Sequence, residues 1–190
     1  MRRGLIAISF AIFSALVAGS AAQPVDPGQE GELKAFLPPQ DGGKVCYTRK
    51  YTAEHLAKHP KQTVAEMEFR LTYYRHEPDE TWPQGQRNYY FALNAKVKGH
   101  ARRLKAFGEC TPVTGAISCG VECDGGGVLV MRRPDDKALV YFPDAQSFIR
   151  MTEGCDESEE NAVELKPGSD DWEFLLTKSA DAACPDYEDW

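Results

Sequence analysis

The sequence predicts a mainly β protein, an antiparallel up-and-down β-barrel of calycin-like type with about eight strands and one or two short helices. Several segments alternate between apolar and polar residues, which is the period-two pattern of half-buried strands. Short stretches of turn-forming residues separate these segments, and short turns join antiparallel neighbours. Because the segments follow one another as a meander, a closed barrel is favoured, with a β-sandwich as the alternative.

The clearest strands lie in the middle of the chain. One runs from Val64 to Tyr74 and the next from Tyr89 to Val97, and in both the apolar residues fall on one face. The sequence predicts one short helix, which begins after Thr52 as its N-cap and ends before Pro60. Shorter apolar runs separated by turns continue the pattern, namely Leu104–Phe107, Ala116–Val121, Val128–Arg132 and Leu139–Phe142. Weaker strand candidates are Ser147–Met151, which could equally be helical, and Trp172–Thr177.

The chain divides into three regions. Residues 1–22 have the layout of a secretory signal peptide: two arginines, an apolar run from Leu5 to Ala18, and small residues up to Ala22. The apolar run is shorter than the ~20 residues of a membrane span, so we expect no span after cleavage. Residues 23–43 read as an extended Pro/Gly-rich leader, and residues 44–190 as a single disulfide-stabilised β domain. We therefore expect a periplasmic or secreted protein.

Charge argues against a nucleic-acid binder. The net charge is −7, and loss of the signal with its two arginines and no acid would make it −9, whereas nucleic-acid binding needs a basic surface. Residues 44–105 hold 13 Lys or Arg against 6 Asp or Glu, and residues 151–190 hold 2 against 13. We expect the two segments to neutralise each other; the alternative is that the acidic C-terminal region docks a basic protein.

The six cysteines all follow the predicted signal: Cys46, Cys110, Cys119, Cys123, Cys155 and Cys184. An even number in an oxidising compartment predicts three disulfides. Short loops favour Cys110–Cys119 and Cys155–Cys184, which leaves Cys46–Cys123. A metal site at Cys119 and Cys123 is a weaker alternative, because no second pair with matching spacing exists.

His55 and His59 are the candidate metal ligands. They lie four residues apart on the predicted helix, so they could share a face and chelate a metal ion. A metal-dependent hydrolase using both is the enzyme alternative, although the zinc-protease pattern needs a Glu where Leu56 stands. Since the chain also lacks Gly-x-Ser-x-Gly and Ser-x-x-Lys, we favour a non-enzymatic role and predict no cofactor.

Asp124, Gly125, Gly126 and Gly127 form the most unusual local motif. As a functional loop it would offer backbone amides to an anion or the Asp124 carboxylate to a cation. As a structural feature it would be a hairpin turn or a β-bulge, and we favour this interpretation because Asp-Gly is foremost a turn signal.

Aromatic residues gather around the loop at residues 75–87. Trp82 lies in this loop, with Tyr74 and Tyr89 on the flanking strands. These three are the candidates to line a pocket at the barrel mouth, although such aromatic residues more often close the barrel end as core. The leading hypothesis is an exported, monomeric, non-enzymatic binding module of the bacterial periplasm, which takes a small apolar molecule at that mouth or a protein partner. The alternative binding role is an inhibitor or adaptor that docks a basic protein through the acidic C-terminal region.

Overall fold

Strand pairing closes the chain into a barrel. The computed structural model describes residues 24–122, 124–152 and 161–190. Its two short α-helices are α1 (Leu33–Phe36) and α2 (Ala53–Lys58). The strands are β1 (Lys44–Lys50), β2 (Val64–Arg75), β3 (Arg87–Val97), β4 (Leu104–Val113), β5 (Ala116–Gly120), β6 (Gly127–Arg133), β7 (Lys137–Tyr141), β8 (Ile149–Met151), β9 (Val163–Leu165) and β10 (Glu173–Lys178).

Eight of these strands form the barrel in the order β1-β10-β7-β6-β5-β4-β3-β2, and each neighbouring pair is antiparallel. The predicted antiparallel eight-stranded barrel is confirmed. A sandwich is excluded because β1 pairs with β2 on one edge and with β10 on the other, which closes the sheet. The meander runs from β1 to β7, after which the described residues 142–152 and 161–172 lie outside the barrel sheet before β10 completes it. Within that excursion, β8 and β9 pair as a separate two-stranded sheet.

The barrel interior is filled with side chains. Along β2 and β3 the inward positions are fully buried and apolar, including Phe69, Leu71, Phe91 and Leu93. Phe174 of β10 reaches the same core. Eight strands leave an interior just wide enough for such side chains to fill, so the alternation seen in the sequence builds a packed core.

Strand β4 is longer than its apolar run predicts. The sequence places a turn from Thr111 to Gly115, but β4 continues through Val113 and the turn narrows to two residues. The Cα atoms of Cys110 and Cys119 are 4.1 Å apart, which marks a pair of residues that exchange no ladder hydrogen bonds. Pro112 lies two residues further on and has the same parity, so its missing N–H is not needed by β5.

One mouth of the barrel is closed by residues 24–43. The sequence predicts an extended leader here, with the fold beginning near Lys44. Instead α1 packs onto the core, and Leu33 is completely buried. The Tyr89 hydroxyl, at the β3 end of this mouth, donates a hydrogen bond to the backbone oxygen of Leu37 at 3.1 Å. The segment is therefore a plug of the fold rather than a leader preceding it.

The excursion carrying β8 and β9 covers the other end. Ile149, Met151 and Leu165 are buried there. Gly126 has a φ of +66°, and a Cβ atom at this position would lie 2.2 Å from the backbone oxygen of Phe148. Glycine is required because the β8 segment approaches so closely.

Asp171 fastens the end of this excursion to the start of β2. It is 2% exposed, and its Oδ2 accepts hydrogen bonds from the backbone N and Oγ1 of Thr63, both at 2.6 Å. Asp171→Ala should lower the free energy of unfolding by about 2 kcal/mol, because it leaves both Thr63 donors without their acceptor. Asp171→Asn retains an acceptor oxygen and should cost about half as much. Urea unfolding measures both, and equal losses would contradict this role for the carboxylate.

Two disulfides are present among the described residues. Cys110–Cys119 is confirmed, whereas the predicted Cys155–Cys184 and Cys46–Cys123 pairings are wrong because Cys46 pairs with Cys184. Sequence distance favoured the wrong pairs; the correct one depends on barrel closure, which brings β1 beside the end of β10. Cys123 and Cys155 lie outside the described residues, so the predicted third disulfide stays a prediction.

The disulfides fit an oxidising compartment. In the three described ranges, no helix is long and apolar enough to cross a membrane. The predicted signal peptide, residues 1–22, lies outside those ranges.

Candidate functional site

The three residues predicted to line the barrel mouth do not come together. Tyr89 points inward and is fully buried, packed edge-on against Tyr73 at 5.1 Å between ring centroids. Tyr74 has the opposite parity on β2 and contacts the rings of Tyr90 and Tyr187 on the outside of the barrel. Trp82 is 42% exposed in the loop between β2 and β3. With the mouth closed by α1, the pocket predicted there is not formed by these residues.

Two adjoining cavities lie instead along β4, beside the described residues 121–122 and 124–125 that follow β5, and together we call them the outer groove. The larger measures about 780 Å³ and the smaller about 290 Å³. Both are lined by Phe107, Val121, Glu122 and Tyr187. The larger also contacts Lys105, Ala106, Asp124, Gly125, Arg150, Thr152 and Trp190, and the smaller Tyr90, Phe91, Gly108 and Glu109.

The C-terminal strap, Cys184–Trp190, builds one wall of the groove. Its first residue is bonded to Cys46, which faces outward between the inward Val45 and Tyr47 of β1. From there the strap crosses the outer face of β2 and β3, and Tyr187 stacks on Tyr90 with 5.2 Å between ring centroids. The disulfide therefore determines where the aromatic wall lies.

Glu109 is the acid of the groove whose pKa is shifted from its ordinary value. It lies directly opposite Tyr90 in the β3–β4 ladder, and its Oε1 accepts a hydrogen bond from Asn88 Nδ2 at 3.0 Å. Its Oε2 is buried, and the Tyr90 hydroxyl also hydrogen-bonds to the carboxyl. Burial raises the pKa of the Glu109 carboxyl, the nearby charge of Glu122 raises it further, and the Asn88 hydrogen bond opposes the shift.

Tyr90 is a lining residue of the smaller cavity. Its hydroxyl hydrogen-bonds to His76 Nε2 at 2.6 Å. Burial, with smaller contributions from Glu109 and other neighbours, raises the pKa of Tyr90 far above its ordinary value, so the phenol stays protonated. The smaller cavity therefore has a neutral phenol beside a carboxyl group whose ionisation is disfavoured by burial.

Glu109→Gln should raise the melting temperature at about pH 7, while at about pH 4 the variant and the parent protein should melt close together. The raised pKa means that the folded state holds the Glu109 proton more tightly than the unfolded chain. That stabilisation is present at low pH and is lost as pH rises through the folded pKa, whereas glutamine mimics the protonated form throughout. Its amide oxygen can still accept from Asn88. Calorimetry at both pH values checks this, with Glu77→Gln in the exposed loop as the control; a variant that melts lower at pH 7 would contradict it.

His55 and His59 form a stack rather than a chelate. Their rings lie nearly parallel, 20° apart, with 4.3 Å between centroids, and Tyr51 stacks on the other side of His55. Lone pairs of ring nitrogens lie in the ring planes, so two stacked rings cannot direct them at one metal ion. His55 Nε2 is also hydrogen-bonded to Gln62 at 3.0 Å. No group of three or more metal-ligating side chains occurs in the part of the chain that the structure describes.

The glycine motif has a structural role in its described part. The Gly127 amide donates to Phe148 O at 2.7 Å, and Gly125 O accepts from the Arg150 amide at 2.8 Å, so this backbone is bonded to the β8 segment. Asp124 and Gly125 nevertheless line the larger cavity. The motif is thus hydrogen-bonded to the β8 segment and also lines one side of the groove.

The basic and acidic segments neutralise each other only in part. Lys44 of the basic segment pairs with Asp186 of the acidic one at 2.6 Å. Lys50 and Arg103, however, both pair with Glu66 of their own basic segment. Side chains of the strap and its approach, such as Asp186 and Asp181, remain 68% and 85% exposed.

Of the groove residues, the sequence patterns single out only Asp124 and Gly125 as candidate site residues. Comparison of the chain with protein-family models, with curated proteins and with solved structures gives no match. The geometry of the groove is therefore the basis for a functional assignment.

Proposed function

We propose that the protein is an exported, non-enzymatic binding module whose small-molecule ligand lies in the outer groove. The observation that carries this proposal is the pair of adjoining cavities, whose size and mixture of aromatic walls with a few polar groups are typical of ligand sites. An outer site is favoured over the barrel mouth because α1 closes the mouth.

Export rests on separate observations. The signal layout of residues 1–22 addresses the chain to the secretory route. The Cys46–Cys184 and Cys110–Cys119 disulfides fit the periplasm or the exterior. A binding role is favoured over catalysis because the sequence lacks the nucleophile motifs named above.

A fragment screen followed by NMR tests the ligand site. Small apolar and amphipathic fragments should perturb the amide resonances of Phe107, Val121 and Tyr187 together. Perturbations concentrated at Trp82 and α1 would instead favour the barrel mouth. A screen with no fragment binding at the groove would overturn the proposal.

A basic protein partner is the second candidate, favoured by the carboxylates of Asp181 and Asp186, which stay largely exposed although each is ion-paired with a lysine. Such a contact between exposed charges would weaken steeply as salt concentration rises. Binding in an apolar groove would change little. Repeating any binding measurement at low and high salt therefore separates the two.

A further inference from the structure

The smaller cavity has an uncompensated negative character. Glu109 and Glu122 both line it, and none of the described Lys or Arg residues does. The hydrogen-bond donors to the Glu109 carboxyl are the neutral Asn88 amide and Tyr90 hydroxyl, which leave its negative charge unneutralised. A positively charged group in this cavity would balance the charge of the two carboxylates.

The remaining walls favour an organic cation over a metal ion. Tyr90, Phe107 and Tyr187 line the same space, and aromatic rings attract ammonium groups while packing against an apolar body. A metal ion would need more ligating oxygen or nitrogen atoms, and the described chain gathers no group of three ligating side chains. The volume of about 290 Å³ suits a molecule of modest size.

We propose that the smaller cavity binds an organic ammonium ion, with its charge against Glu109 and Glu122 and its apolar body against Phe107 and Tyr187. This inference rests on the proposed function, because it names the class of ligand that the outer groove takes. The ammonium charge interacts with the two carboxylates and with the faces of the aromatic rings.

Isothermal titration calorimetry of the oxidised protein tests this with two probes of matched shape, 2-phenylethylammonium and the neutral 2-phenylethanol. Titrations at about pH 7.5 keep the first probe charged. The ammonium probe should bind at least tenfold tighter, and Glu109→Gln should remove that preference, since hydrogen bonds to charged groups are worth more than neutral ones. Glu77→Gln makes the same charge change in an exposed loop and should leave the preference intact.

The outcomes separate the two proposals. Equal binding of both probes, unchanged by Glu109→Gln, would overturn the ammonium inference and leave a binding groove in place. Binding of neither probe at millimolar concentration would also overturn the inference, and the fragment screen then decides whether the proposed function falls with it. An equal loss in Glu77→Gln would show that only the overall negative charge attracts the cation.

Discussion

Replacing both Cys46 and Cys184 by alanine is expected to lower the free energy of unfolding by about 5 kcal/mol. The two residues are 138 positions apart, so their bond restricts nearly the whole unfolded chain. In the chain-entropy description of disulfides, stabilisation grows with the logarithm of the number of residues in the closed loop. A loop of this length gives about 5 kcal/mol. Guanidinium unfolding of the oxidised parent and of the variant measures the difference.

The Cys110–Cys119 disulfide provides a matched control. Its residues are 9 positions apart in adjacent strands, and the same relation gives about 3 kcal/mol for the corresponding double alanine variant. Both disulfides are buried, so the two variants lose similar packing and differ chiefly in loop length. If the two variants lost equal stability, loop length would not be what makes the Cys46–Cys184 bond important.

The same variant should also impair the groove. Cys184 is the first residue of the C-terminal strap, and Tyr187 lines both cavities three residues later. Without the bond, the strap retains the Lys44–Asp186 ion pair and its ring contacts, which are partly exposed and individually weak. We therefore expect the Cys46/Cys184 variant to weaken fragment binding, and the Cys110/Cys119 variant to preserve it.

The sequence predicted the barrel because strands carry a local signal. The alternation of β2 and β3 is visible in their own residues, and short turns imply antiparallel neighbours. The Cys110–Cys119 pairing was accessible for the same reason, since both residues lie in one hairpin. Cys46–Cys184 was not, because no local pattern indicates that the first strand meets the last.

The site was harder to predict because it is assembled from distant segments. Polar residues at outward positions, such as Glu109, are expected on any half-solvated strand and do not indicate a site by themselves. Glu109 becomes unusual only because it lies opposite Tyr90 and because Tyr187 returns from the C-terminus to cover both. The register between β3 and β4 and the path of the strap belong to the tertiary structure, so no local sequence pattern indicates them.

The plug has a weak helix signal in its own sequence. Leu33, Phe36 and Leu37 have the i, i+3, i+4 spacing of an apolar helix face. The helix they form has only four residues, and the surrounding prolines and glycines made the segment look like a linker. Burial against the barrel mouth, rather than helix propensity, stabilises so short a helix.

Leu33→Ala is accordingly expected to lower the free energy of unfolding by about 3 kcal/mol, the cost of removing a fully buried leucine side chain and leaving a cavity. An extended leader outside the fold would give almost no effect, so the measurement separates the two descriptions of residues 24–43. Lys34→Ala is the control, because Lys34 is exposed on the same helix and its loss should change stability by no more than about 0.5 kcal/mol. If chemical denaturation showed both variants to be as stable as the parent, the plug would not belong to the cooperative fold, and Tyr89 and the barrel mouth would again be candidates for the ligand site.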